Sequence, residues 1–114
     1  MKKRTRQLQF DTQTKQKIYL REKGQCLFCQ RNYHMKCWDE YQYKIKDIMH
    51  YINKSAGGLG IMENGVLGCR YHHSLLDNGN KGLRPEMLEI MKEYLKSKHP
   101  EWDESKLVYK KYNF

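Results

Sequence analysis

A small α+β domain follows from three features of this amino-acid sequence. The chain has 114 residues, the size of a single small domain. Its middle, from Asp47 to Asp77, reads as strand, glycine-rich loop, strand and helix. Two pairs of ligand-type residues, Cys26-x-x-Cys29 and Cys69-x-x-His72, flank the first strand and its loop. A domain this short buries a limited share of its surface, so a metal or disulfide staple commonly supplements the core. The predicted organisation is a basic arm over residues 1–11, a stapled domain over 12–80, and a helical extension over 81–114 packed on it.

Composition supports folding and excludes some classes. The chain is 39% hydrophobic and 31% charged, and 12% aromatic with nine Tyr, which is too aromatic for a disordered tail. MKKRTRQLQF has the charge of a signal peptide but lacks the apolar stretch that must follow, and no run approaches the roughly 18 apolar residues of a membrane span. The sequence is therefore read as cytoplasmic, with no membrane partner. In a reducing compartment four Cys, two of them in C-x-x-C, point to metal or redox chemistry rather than disulfides.

The net charge of +9 is concentrated near the start, where residues 1–23 carry eight Lys or Arg against two acids. Residues 24–80 carry six against five, and 81–114 eight against six. Such an arm can neutralise phosphates and release their counterions, so nucleic acid is the partner the charge favours.

Taken in order, Asp11 or Thr12 caps a helix through TKQKIYLREK that stops at Gly24. CLFCQRN forms a tight knuckle whose backbone N–H groups turn toward the sulfurs. YHMKCWDEYQ has no clear period and is left unassigned. YKIKDIMHYI is strand-like by its β-branched and aromatic content, NKSAGGLGIMENG is a loop, and VLGC is a short strand. A helix runs from Arg70 to Asp77 and ends at the Asn78-Gly79-Asn80 turn. Pro85 opens another helix, with Met87, Met91, Tyr94 and Leu95 on its buried face. Pro100 ends it, and EWDESKLVYKKY is expected to form a last short helix that lays Trp102, Val108 or Tyr109 on the body.

Cys26, Cys29, Cys69 and His72 together offer three sulfurs and one nitrogen in two chelating pairs, the donor set of a closed tetrahedral zinc site. The 39 residues between the pairs exceed the span of a compact finger, so they must hold something else. A redox C-x-x-C is the competing reading, but no βαβ pattern surrounds the pair. His34 and Cys37 are alternative ligands, and Cys37 is more simply a free thiol.

The segment between the pairs resembles the HNH nuclease family, of the ββα-metal or His-Me finger type with zinc knuckles. The resemblance is carried by His50 in DIMHYI, Gly57-Gly58-Leu59-Gly60, Asn64 in ENGVLGC, and His73 directly after Cys69-x-x-His72, over about residues 18–79. It implies a ββα-metal finger stapled by one structural zinc, with flanking N- and C-terminal helices. It also implies a metal-dependent endonuclease that hydrolyses DNA phosphodiesters to a 5′ phosphate and a 3′ hydroxyl. Free-standing domains of this kind are typical of phage and prophage genomes, so phage packaging proteins are among the implied partners.

By the same resemblance His50 is the general base, a role worth on the order of 10² to 10⁴ in rate. Asn64 braces the loop and orients His50. His73 and Asp77 share a helix face and hold one Mg²⁺ or Mn²⁺. Many members carry a metal ligand immediately before the catalytic His, whereas here Met49 stands there, a poor partner for a hard cation. Asp47 is expected to point to the face opposite His50. Lys2, Lys3, Arg4, Arg6, Lys15, Lys17 and Arg21 are the residues expected to grip DNA phosphates. Two rival readings are a zinc-stabilised DNA-binding module with a decayed catalytic centre, and an RNA-directed protein using its Tyr residues for base stacking.

Overall fold

The computed structural model describes residues 7–78 and 82–109, without the side chain of Asn78. Lys2, Lys3, Arg4, Arg6 and the Gly79-Asn80 turn lie outside the described residues. The elements run α1 (Thr12–Arg21), α2 (Leu27–Gln30), α3 (Tyr41–Lys44), β1 (Lys46–His50), β2 (Gly65–Cys69), α4 (Arg70–Asn78) and α5 (Arg84–Lys98). Single 3-10 turns occupy Lys54–Ala56, Met62–Asn64 and Glu104–Lys106. The result is a small α+β fold, and no helix among the described residues is long and apolar enough to cross a membrane.

β1 and β2 pair antiparallel in one two-stranded sheet, with Lys46 opposite Cys69 and His50 opposite Gly65. Because side chains alternate across a strand, the two faces of this ribbon serve different cores. Met49 and Val66 join Phe28, Leu76, Met87, Met91 and Leu95 in the main core. Ile48 and Leu67 meet Phe10 and Ile18 in a smaller one. Met49 lies across β2 where Gly68 leaves room, since a Cβ there would stand 2.4 Å from Met49 Cε.

α1 starts where Asp11 accepts a hydrogen bond from Thr14 N at 2.7 Å, and it ends ahead of left-handed backbone at Lys23 and Gly24. α5 buries Met87, Met91 and Leu95 completely, on the face its sequence pattern predicts, and each such side chain contributes on the order of 1.5–3 kcal/mol. Tyr94 sits beside them, half-buried, with its hydroxyl donating to Glu22.

Three stretches differ from expectation. Residues 7–10 belong to the body rather than to a loose arm. Leu8 is 4% exposed and Phe10 9%, and Gly60 N donates to Gln7 O at 2.9 Å. Gly60 permits this approach, since a Cβ would stand 2.2 Å from Gln9 O. The second difference is at the end of the chain, where residues 101–109 form no α-helix. Leu59 N donates to Leu107 O, and Tyr109 N donates to Gly57 O, each at 2.7 Å. The tail's backbone thereby pairs with the glycine-rich loop, which its own helix would prevent. Finally, the unassigned region before β1 contains the one-turn helix α3, and YKI of the strand-like segment lies outside β1.

Candidate functional site

The two ligand pairs meet at the junction of α2, β2 and α4. Cys26 precedes α2 and Cys29 lies within it, while Cys69 ends β2 and His72 falls in the first turn of α4. The four ligand atoms lie within 4.8 Å of one another. Cys29 Sγ is 3.7 Å from Cys69 Sγ, and His72 Nδ1 is 3.6, 3.6 and 3.2 Å from the sulfurs of Cys26, Cys29 and Cys69. A tetrahedral ion with Zn–S bonds of about 2.3 Å requires sulfurs about 3.8 Å apart, so the set fits a structural metal such as zinc. His72 Nε2–H donates to Tyr33 O at 2.6 Å, which turns Nδ1 toward the sulfurs. His72 N also donates to Cys69 Sγ at 3.4 Å, as a knuckle requires.

Hydrogen bonding and burial divide the three thiols. A hydrogen bond from Cys69 pushes Cys26 down to about 3. Burial, with the charge on Cys26, pushes Cys29 up to about 11, and Cys69 is raised because it supplies the shared proton. A divalent ion among the sulfurs would stabilise all three as thiolates. Cys37 is not in the group; its thiol donates to Asp39 O at 3.4 Å.

Beside this knuckle a surface basin of about 1510 Å³ is lined by His50, Asp47, His73, Asp77, Lys54 and Phe10 among others. β1 pairs with β2 along one edge, and the basin collects side chains from both faces of β1. That is how Asp47 and His50 share it despite their alternation.

His50 is half-buried, its ring 4.4 Å from that of Phe10. Its Nε2–H donates to Leu8 O at 3.1 Å, which leaves the lone pair of the neutral ring on Nδ1. Burial lowers its pKa most, the hydrogen bond to Leu8 O opposes that, and the positive charge of Lys54 adds to the lowering, so the net direction favours the neutral ring near pH 7. Asn64 is fully buried and braces the loop after β1. Its side chain accepts from Ile52 N at 2.8 Å and donates to Ile52 O and Leu59 O at 3.1 and 2.8 Å. It fixes the residues that follow His50 and makes no hydrogen bond to the His50 ring, which is oriented by Leu8 and Phe10 instead.

His73 stands between two carboxylates. Nε2 is 3.1 Å from Asp77 Oδ2, and Nδ1 is 3.2 Å from Asp47 Oδ2. Adjacent ligands of an octahedral ion with bonds of about 2.1 Å lie about 3.0 Å apart, so His73 and Asp77 are spaced to share one. Asp47 thus meets His73 on the ring nitrogen opposite the one that faces Asp77. Arg70 Nε also reaches Asp47 Oδ2, at 3.1 Å. Burial alone would raise the Asp47 carboxyl, but the hydrogen bonds from His73 and Arg70 outweigh it and hold the pKa below the ordinary value. Met49 is 0% exposed in the core and offers the basin nothing.

Of the residues expected to grip phosphates, Lys15 and Lys17 are exposed on α1, and Lys15 lines the basin. Arg21 does not belong with them. Its side chain is 9% exposed and bonds the buried Glu22 carboxylate, Met62 O at 2.8 Å and Gly65 O at 2.5 Å. Lys46, Lys54, Arg70 and Arg84 line the basin and were missed, because no run of basic sequence marks them. Leu8 was missed because a backbone carbonyl leaves no side-chain signal. No protein-family model, curated protein or solved structure matches this chain.

Proposed function

We propose that this chain is a metal-dependent endonuclease of the HNH type that hydrolyses DNA phosphodiester bonds. The observation that carries the reading is the tethered imidazole. His50 is half-buried, with Nε2–H committed to Leu8 O and Nδ1 left with its lone pair, in a basin it shares with His73 and Asp77. Hydrolysis requires a base for water, and charge stabilisation at the phosphorus and at the departing 3′ oxygen.

In this reading His50 Nδ1 takes a proton from water as the water oxygen bonds to phosphorus. The bond from phosphorus to the 3′ oxygen breaks, that oxygen takes a proton from solvent, and the products are a 5′ phosphate and a 3′ hydroxyl. His73 and Asp77 would hold one Mg²⁺ or Mn²⁺. When bound, such an ion stabilises the negative charge on the phosphoryl and leaving oxygens. Lys15 and Lys54 supply positive charge along the basin, which positions the backbone without reading sequence. Cys26, Cys29, Cys69 and His72 would hold a structural zinc, which when bound would tie β2 and α4 to α2.

The test is cleavage of supercoiled plasmid by zinc-loaded protein, with Mg²⁺, Mn²⁺ or EDTA, comparing wild type with His50→Ala and His73→Ala. Metal-dependent nicking lost in both variants is the expected result. A second reading, a zinc-stabilised DNA-binding module, is favoured by the burial of Met49, which leaves the basin without a ligand from the position before His50. DNA binding by a zinc-loaded wild type that cleaves nothing would make it the better account.

A further inference from the structure

Six large apolar side chains are exposed among the described residues, and four of them, Met35, Trp38, Tyr41 and Ile45, fall in the single stretch before β1. Trp38 is 91% exposed and Tyr41 72%. A tryptophan normally contributes its large apolar area to a core or an interface. Here the backbone on both sides of Trp38 is fastened in place. Cys37 N donates to the Tyr43 hydroxyl at 2.8 Å, and Asp39 Oδ1 accepts from Tyr41 N at 3.1 Å. The indole is therefore displayed by a pinned loop.

The surroundings of the rings indicate what they would meet. Arg31, Lys36 and Lys44 are exposed around the loop, and Lys44 Nζ stands 5.5 Å from the centroid of the Tyr41 ring. Of the two nearby acids, Asp39 is engaged with Tyr41 N. A cleft beneath the loop is lined by Met35, Cys37, Glu40, Tyr43, Lys44 and Lys46, and Lys46 also lines the basin of His50 and His73. Cationic side chains interleaved with exposed rings suit a single-stranded nucleic acid, whose phosphates the cations track while its bases stack on the rings. A paired duplex offers no free base face to stack.

We propose that Trp38 and Tyr41, with Lys36 and Lys44, form a stacking platform for unpaired bases beside the catalytic basin. The substrate class is then DNA carrying a single-stranded gap, flap or tail, rather than uniform duplex. This deepens the nuclease reading and rests on it.

The chain's two tryptophans make the test direct, since Trp102 is half-buried with Nε1 donating to Glu63 O at 2.7 Å, and Trp38 is the solvent-facing reporter. Zinc-loaded full-length His50→Ala protein would be titrated with a blunt duplex, the same duplex bearing a single-stranded dT tail, and the duplex bearing a U tail. Trp emission and the anisotropy of labelled DNA would both be followed. The expected result is quenching by the tailed duplexes and not by the blunt one, with the U tail bound no more tightly than the dT tail. Trp38→Ala should lower affinity for the tailed duplex roughly 5- to 150-fold, the range for one stacked base, with Trp38→Phe restoring most of it.

Equal affinity for blunt and tailed duplexes, or no effect of Trp38→Ala on either, would overturn the platform. Tighter binding of the U tail than of the dT tail would move the substrate to RNA and overturn the DNA assignment. Concentration-dependent dimerisation abolished by Trp38→Ala would show instead that a second copy covers the patch. Plasmid nicking by wild type is scored separately. Nicking without tail preference sinks the platform alone, whereas tail-dependent quenching without cleavage of any substrate sinks the nuclease reading.

Discussion

Asp47 Oδ2 lies 3.2 Å from His73 Nδ1, tying β1 to the first turn of α4. His73 Nε2 faces Asp77 on its other side, so one ring nitrogen is available to an ion and the other is held by a carboxylate. Carboxylates that hold the distal nitrogen of a ligating His fix its ring and strengthen it as a ligand. Asp47→Asn should therefore weaken Mn²⁺ binding about 10- to 100-fold while leaving zinc content unchanged. Isothermal titration with Mn²⁺ checks this. Unaltered Mn²⁺ affinity would reduce the contact to an ordinary surface pair worth about 0–1 kcal/mol.

His50 sets the expected pH dependence. Burial, with the charge of Lys54, outweighs the hydrogen bond to Leu8 O and holds its pKa below the ordinary 6.5. The acid limb of the cleavage rate should fall below pH 6.5, with full activity at neutrality. Lys54→Gln should move that limb to higher pH. The same shift bears on stability. A folded pKa below the unfolded one contributes stability that is present above pH 6.5 and is lost as pH falls through the folded value. A pH–rate profile with an acid limb above 6.5 in wild type would contradict the assignment.

The zinc claim separates the cysteines. Cys26→Ser removes one of four ligands and should abolish stoichiometric zinc binding and the cooperative melt, since metal binding in a small domain is folding free energy. Cys37→Ser should retain both, because that thiol donates to Asp39 O outside the cluster. Metal analysis of the purified variants, with thermal melts, distinguishes them. Loss of zinc in Cys37→Ser would mean that the ligand set is misassigned.

What the sequence could reveal depended on how local the cause was. The C-x-x-C and C-x-x-H spacings already place two donors on one ion, so the cluster could be read without knowing the path between the pairs. Asp11 as a cap and the Met87, Met91 and Leu95 stripe are likewise set within a turn or two of helix. Alternation puts Asp47 and His50 on opposite faces of β1, yet it could not tell that both line the basin, which gathers residues from both faces. The burial of Met49 also recasts its meaning. Asp in its place would put a carboxylate in the core rather than a ligand in the basin. The C-terminal tail escaped helix formation because its backbone partners belong to the glycine-rich loop, about fifty residues earlier.

Arg21 shows how charge composition misleads, and it makes the last prediction. Glu22 is 3% exposed and accepts from Arg21 Nε at 2.5 Å, Leu67 N at 2.9 Å and the Tyr94 hydroxyl at 2.5 Å. Removing the cation would strand a buried carboxylate and take from Gly65 O its guanidinium donor, while Met62 O would keep the hydrogen bond from Gly65 N. Arg21→Met should cost about 3–5 kcal/mol of stability, the scale for breaking one side of a buried pair. The variant's folded fraction should keep its DNA affinity and salt dependence. Lys15→Gln and Lys17→Gln should do the reverse, leaving the denaturation midpoint in place while each lowers the slope of log affinity against log salt by about 1. Urea denaturation and salt-titrated DNA binding, run on all three variants, decide it. An Arg21→Met protein as stable as wild type but with a shallower salt slope would return Arg21 to the DNA-facing surface.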